Sequence, residues 1–362
     1  MYQLLMFVAL SGEFPTGLVN LLPGAETYKA KAITRLKRTR WVNSYYDSGL
    51  RGLRLTATAK RELLRSQADT FGPILSGKNS ISTPKYDVPN RLRLHRMAEI
   101  LIMMYRAGAV VFPWEKPGVF LPDDRFLPAT ITKPTYYSSI EVKGIGKQAT
   151  MIRNSRATGL LLTPDNLFAV YNTADGEMKW EFQSEMRLKV LIQQDICYQR
   201  LPDQYGPITP EAIVVSTDMR QLPALLSGQR KGQKPFVIGN EFPHFHYLTM
   251  DHHGEVILQI LCSSERKGKL DMILTSDLAP RRHYLTENDG FDETGAPVLL
   301  AYSCDIPRIH RFYTGLLTNR LSGSMICFDF QEEALREICG DEVSFTCVDF
   351  DEFERRVFNI PP

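Results

Sequence analysis

The chain has 362 residues, 43% of them hydrophobic and 23% charged, a balance that excludes a disordered chain and suffices for two or three ordinary cores. No run of about eighteen apolar residues occurs, so no membrane span is expected. The net charge of +2 hides an asymmetry: residues 1–65 hold eleven Lys and Arg against four Asp and Glu, whereas residues 329–357 hold ten acidic and three basic side chains. Basic character gathered at one end suits a domain that meets a polyanion.

In chain order, "MYQLLMFVALSG" has no basic residue ahead of its apolar part and reads as a core helix over 2–11 rather than a leader. "SGEFP" is a turn, and Pro15 to Leu22 a short helix with proline at its start. From Ala25 to Trp41, apolar Ala30, Ile33, Leu36 and Trp41 recur at helical spacing, with Lys29, Thr34, Arg35, Lys37 and Arg38 largely on the other faces. That helix buries one side and offers cations on the other. "VNSYYDSGLRGLRLTA" alternates around Asp47-Ser48-Gly49 and predicts a hairpin, after which a helix from Thr56 to Leu64 is capped by Thr56 or Thr58.

Three helices closed by a two-stranded hairpin, the third helix basic, resemble the winged helix-turn-helix domain over residues 1–66. The resemblance implies that helix 25–40 is the recognition helix, with Thr27, Tyr28, Lys29, Lys31, Thr34 and Arg35 facing the groove of duplex DNA. It places Arg38 and Arg40 near the backbone and Arg51 and Arg54 on the wing, 42–55. The physics agrees with that assignment: a helix fits the major groove, and Lys or Arg at its ends and on a flanking hairpin neutralise phosphates. Winged helices also serve as protein-interaction modules, in which case the basic face is simply solvated. Tyr45 and Tyr46 either stack on the nucleic acid or cover the core.

Residues 67–90, "QADTFGPILSGKNSISTPKYDVPN", read as a linker. Arg91 to Ala107 predicts an amphipathic helix with Leu92, Leu94, Met97, Ile100, Leu101 and Met104 buried, a connector (91–130) used for inter-domain packing or homodimer formation. Beyond it, a strand or turn, a short helix, a strand, a hairpin and a helix over 184–194 are followed by a strand-then-helix cadence: "AIVVSTDM" with "RQLPALLSG", "VLLAYSC" with "PRIHRFYTGLL", "MICFDF" with "QEEALREIC", and "SFTCVDF" with "DEFERRV". This argues for a mixed or parallel sheet covered by helices over 131–362. The fold expectation is therefore an α+β winged helix-turn-helix domain at the N-terminus followed by a mixed α/β domain. The segment "SRATGLLLTPDNLFAVYNTADGEMKWEFQSEMRLKVLI", together with the N-terminal domain, is similar over about residues 1–200 to the replication-relaxation family of plasmids and conjugative elements. That resemblance implies a bacterial, DNA-binding protein of a mobile element, acting alongside other replication or conjugation proteins.

Three constellations could carry chemistry. Asp165 followed by Glu177-Met178-Lys179 has the order in which restriction-like nucleases place two metal-binding carboxylates and a lysine; the turn-forming Asp175-Gly176 offers the plainer reading of a solvated hairpin. "HFHYLTMDHH" gathers four of seven histidines, and His244-Phe245-His246 puts two imidazoles on one face of a strand, as in metal-dependent strand-nicking enzymes, with His252 nearby and Tyr313 as the available nucleophile. Read plainly, "DHHG" is a turn between the strands "FHYLTM" and "EVILQILC". "VKGIGKQAT" and "GQRKGQKP" lack the full phosphate-binding loop. The six cysteines Cys197, Cys262, Cys304, Cys327, Cys339 and Cys347 show no C-x-x-C pair and are expected as reduced thiols of a cytoplasmic protein, most of them buried. The expectation is a duplex-DNA-binding protein without cofactor or membrane association, and more readily a binder than an enzyme. A metal-dependent DNA-nicking enzyme, with a divalent ion, and a protein-interaction scaffold are the alternatives.

Overall fold

A computed structural model describes residues 1–76, 86–121, 129–142, 155–174, 181–223, 241–281 and 285–358. The chain forms two compact units of mixed α and β structure: 1–153 with 157–164 and 194–206, and 154–156 with 165–193 and 207–362. Among the described residues no helix is long and apolar enough to cross a membrane.

The first unit opens with α1 (Tyr2–Ser11), whose residues Leu4 to Ala9 are all buried, as its uniform apolarity demands. A two-residue strand β1 (Phe14–Pro15) and a 3-10 turn (Thr16–Leu21) lead to α2 (Glu26–Arg38). The hairpin β2 (Val42–Asp47) and β3 (Leu50–Leu55) turns at Ser48 and Gly49, both with positive φ (51° and 79°). This is the backbone that a two-residue hairpin loop requires to match strand twist. β1 adds antiparallel to β3, giving the sheet order β1-β3-β2. α3 (Ala57–Ser66) is capped by Thr56, whose hydroxyl accepts from the Ala59 amide at 3.1 Å, which selects Thr56 over Thr58.

The expected division after residue 66 differs from what is observed. Residues 68–75 of the expected linker form α4 (Ala68–Leu75), while 77–85 fall outside the described residues. α5 (Val88–Arg106), expected as a connector, packs on α1 and β1 inside the same unit. Leu94, Met97, Ile100, Leu101 and Met104 are buried as expected, but Leu92 is 38% exposed and Arg91 is fully buried in its stead. Arg91 can lie inside because it finds a carboxylate there, and a paired guanidinium can be buried where an unpaired one cannot. The unit continues through the antiparallel pair β4 (Thr135–Ser138) and β5 (Gly159–Leu162), with the short α6 (Ser139–Val142) after β4.

In the second unit, β6 (Leu167–Ala174), β7 (Glu211–Ser216) and β8 (Phe245–Thr249) run parallel, aligned as Val170 to Ile213 and Val214 to Tyr247. Their continuous apolar runs fit strands covered on both faces. α7 (Phe182–Leu191) follows β6, and after it the first unit's α8 (Pro202–Tyr205) precedes β7. The chain then forms α9 (His252–Leu261) and α10 (Ser264–Leu274). A second sheet has the order β13-β12-β11-β10-β9, built from β9 (Ala279–Pro280), β10 (Gly290–Phe291), β11 (Pro297–Leu300), β12 (Gly323–Phe328) and β13 (Val343–Val348). β11, β12 and β13 are parallel, linked by α11 (Ile306–Asn319) and α12 (Glu332–Cys339), and α13 (Phe350–Phe353) follows β13. The strand-helix cadence from β11 onward is thus realised.

"EVILQILC" is a correction. It lies in α9, not in a strand, and "DHHG" is a helix start: the Asp251 carboxylate accepts from the Gly254 amide at 3.1 Å. A short apolar run is ambiguous between strand and buried helix, and the N-cap decides here.

Candidate nucleic-acid interface

α2 has Glu26 in its first turn and Arg35, Lys37 and Arg38 in its last, the placement that complements the helix dipole. It ends on Arg40 in the left-handed region (φ 57°), with the Trp41 amide bonding back to the Leu36 carbonyl at 2.9 Å and the Arg40 amide to Lys37 at 3.0 Å. That double closure caps the last carbonyls and aims the chain into β2. The buried side is Ala32 and Leu36, with Ile33 half-buried. Ala30, expected inside, is exposed, and Trp41 lies past the helix end, half-buried. The expected stripe mixed positions from two structures, because Trp41 no longer follows the helical period.

Thr27, Tyr28, Lys31, Thr34, Arg35, Arg38 and Arg40 are exposed, as is Arg51 on β3. The Thr34 hydroxyl donates to the Ala30 carbonyl at 3.0 Å. Lys37, absent from the expected contact set, is exposed on the last turn beside Arg38, and its place in the cationic run was the signal for it. Lys31, Arg35, Lys37, Arg38, Arg40 and Arg51 have no carboxylate partner among the described residues. On the hairpin, Tyr46 is 70% exposed and lies opposite Arg51 in register.

Two expected contacts are corrected. The Lys29 ammonium donates to the carbonyls of Asn20 at 2.8 Å and Leu22 at 3.0 Å, tying α2 to the end of the 3-10 turn. Arg54 is buried, with its guanidinium on Glu13 at 2.6 Å. Strand alternation explains this: Arg54 and Arg51 sit three apart on β3, so their side chains leave opposite faces.

Behind the hairpin, Glu13 is the centre of a buried charged cluster. Arg54 approaches one carboxylate oxygen through Nη2 (2.6 Å) and Nε (2.9 Å), Arg91 the other through Nη2 (2.7 Å), and His95 Nε2 sits at 3.0 Å. Burial pushes the Glu13 carboxyl up, but hydrogen bonds from His95, Arg91 and Arg54 outweigh it and hold the group down at about 2. Arg91 also donates to the carbonyls of Asp47 (2.8 Å) and Leu50 (2.9 Å), the two residues flanking the hairpin turn. The Tyr45 ring packs against both guanidinium groups, its centre 4.0 Å from that of Arg54 and 4.6 Å from that of Arg91, and so belongs to this cluster. α5 thereby grips the hairpin from behind.

The histidine-rich segment is arranged differently. His244 Nδ1 meets Asp305 at 2.5 Å and His246 Nε2 meets Glu211 at 2.9 Å, while His252, on the first turn of α9, pairs with Glu354 at 2.9 Å. Hydrogen bonding to Asp305 raises the His244 imidazole against the opposing effect of burial. The imidazoles of His244 and His246 are nearly parallel, with ring centres 6.3 Å apart, and each is taken up by its own carboxylate. Among the described residues no group of three His, Cys, Asp or Glu is placed to hold a metal ion. Tyr313 lies on α11 and donates to Glu342 at 3.4 Å. Asp165 accepts from the Ser264 hydroxyl. Glu177 and Lys179, the turn at Asp175-Gly176, and the loops around Gly144, Gly146 and Lys147 and over 228–235 lie outside the described residues. No protein-family model, curated protein or solved structure matches the chain.

Proposed function

We propose that this chain binds duplex DNA through the exposed face of α2 and the β2–β3 hairpin, as a winged helix-turn-helix protein acting in a plasmid or conjugative element. The order helix, strand, short helix, helix, strand, strand and the sheet order β1-β3-β2 support the winged-helix reading. The mobile-element context rests on the resemblance to the replication-relaxation family. The observation that carries the DNA reading is the set of outward cations, Lys31, Arg35, Lys37, Arg38, Arg40 and Arg51, left without acidic partners on one helix and the hairpin beside it. Such groups gain most from phosphate, because each contact releases condensed counterions. A solvated basic face would need no such concentration of unpaired charge.

The test is fluorescence anisotropy of the full chain on a preferred and a scrambled duplex across a salt series. Arg35, on a helix able to enter the major groove, should discriminate bases by about 1–3 kcal/mol, so Arg35→Ala shrinks the ratio between the two duplexes. Arg51, on the hairpin, reaches backbone, so Arg51→Ala weakens both duplexes alike and lowers the salt slope by roughly one phosphate contact. Salt-independent binding, or none to any duplex, would overturn the reading in favour of a protein-interaction module.

A further inference from the structure

Two cysteines lie side by side at the open edge of the second sheet. β13 is its outermost strand, and the register aligns Cys347 with Cys327 of β12. Residues aligned on neighbouring strands share a face at about 5 Å between backbones, inside the range of roughly 4.4–6.8 Å that a disulfide spans. Cys327 is buried, while Cys347 is the one exposed cysteine of the six. The Cys347 thiol donates a hydrogen bond to Glu332 at 3.1 Å. Arg336 holds that carboxylate at 2.6 Å. An accessible thiol backed by a buried one is the arrangement in which the first meets an oxidant and the second resolves it.

We propose that Cys347 and Cys327 are a modification site that takes a peroxide-class oxidant and closes to an intramolecular disulfide. In the first step the Cys347 thiol loses its proton to hydroxide and the sulfur attacks one oxygen of the peroxide. The oxygen–oxygen bond breaks, the departing hydroxide takes up a proton to become water, and Cys347 is left as a sulfenic acid. In the second step the Cys327 sulfur attacks the Cys347 sulfur, and the Cys327 proton leaves with the displaced hydroxyl as a second water. Two thiols lose two electrons and the peroxide gains them; a dithiol reductant reverses the change. Burial raises both thiols, and Glu332 raises Cys347 further, so the reaction is slow at neutral pH and quickens as pH rises. Its product ties the edge strand β13 covalently to β12.

The test exposes the full chain to hydrogen peroxide over a pH series, blocks remaining thiols by alkylation and maps peptides by mass spectrometry. The expected result is a monomer lighter by two hydrogens with Cys327 linked to Cys347, formed faster at higher pH and reversed by dithiothreitol. Cys347→Ser should abolish the link and leave Cys327 open to alkylation on unfolding, whereas Cys304→Ser should leave it intact. Oxygen addition on Cys347 with Cys327 still alkylatable, a Cys304–Cys327 link, or a disulfide between two chains would overturn the proposal.

Discussion

Arg54 and Arg35 are the same residue type in one basic region, and the fold gives them opposite work. Arg54 faces inward onto Glu13 together with Arg91 and His95, beneath the hairpin. Arg35 faces outward with Lys31, Lys37, Arg38 and Arg40, without acidic partners among the described residues. The inward cations hold the shape of the hairpin and the outward ones are what that shape presents. Local charge density does not separate the two groups; the presence of one buried carboxylate does.

The largest expected effect of breaking this division comes from Glu13. Glu13→Gln removes the buried carboxylate that Arg54 and Arg91 share, which should cost about 3–5 kcal/mol and show as a large fall in the melting temperature of the full chain. Acid should do the same gradually. A carboxyl whose folded pKa is depressed stabilises above its unfolded value and loses that contribution as pH falls through the folded one. With Glu13 moved from 4.5 to about 2, roughly 3 kcal/mol should vanish between those pH values, measured as denaturant midpoint against pH. The same titration of Glu13→Gln should be flatter in that window.

Glu185, in the second unit, sharpens the point from the other side. It too is buried, but its hydrogen bonds come from neutral groups: the Tyr171 hydroxyl at 2.9 Å, the Ser155 hydroxyl at 3.0 Å and the Arg156 amide at 2.8 Å. Burial raises its carboxyl, and these hydrogen bonds offset that only in part. A raised carboxyl stabilises below its unfolded pKa and loses that contribution as pH rises through the folded value, opposite to Glu13. Glu185→Gln should therefore change stability at neutral pH by no more than about 1 kcal/mol, and remove the loss of stability expected in the parent as pH rises above the ordinary carboxyl range.

The hairpin of the first unit was legible from Asp47-Ser48-Gly49 because turn chemistry is local, and α2 was legible from its period. The inward turn of Arg54 and Arg91 was not, since it depends on Glu13, which is 41 and 78 residues away in the chain. Alternation along β3 could have separated Arg51 from Arg54, but not which face was inside. Lys29 was misassigned for a similar reason: its acceptors are backbone carbonyls exposed by the end of a 3-10 turn, and carbonyls leave no trace in side-chain pattern. The imidazoles of His244 and His246 do lie side by side, although His244 stands just before the strand that carries His246. Their carboxylate partners come from other strands and loops, which the motif alone could not supply.

The most direct test of the division between inward and outward cations is to measure melting temperature and salt-dependent duplex binding together on two full-length variants, Arg35→Ala and Arg54→Ala. Arg35→Ala should melt like the parent, within the range of about 0.5 kcal/mol usual for surface changes, and bind its preferred duplex more weakly. Arg54→Ala should melt well below the parent, yet at a temperature where it is still folded should keep the parent's salt slope, because its charge never reached phosphate. If Arg54→Ala lowered the salt slope while Arg35→Ala left binding unchanged, the assignment of inward and outward roles would be contradicted.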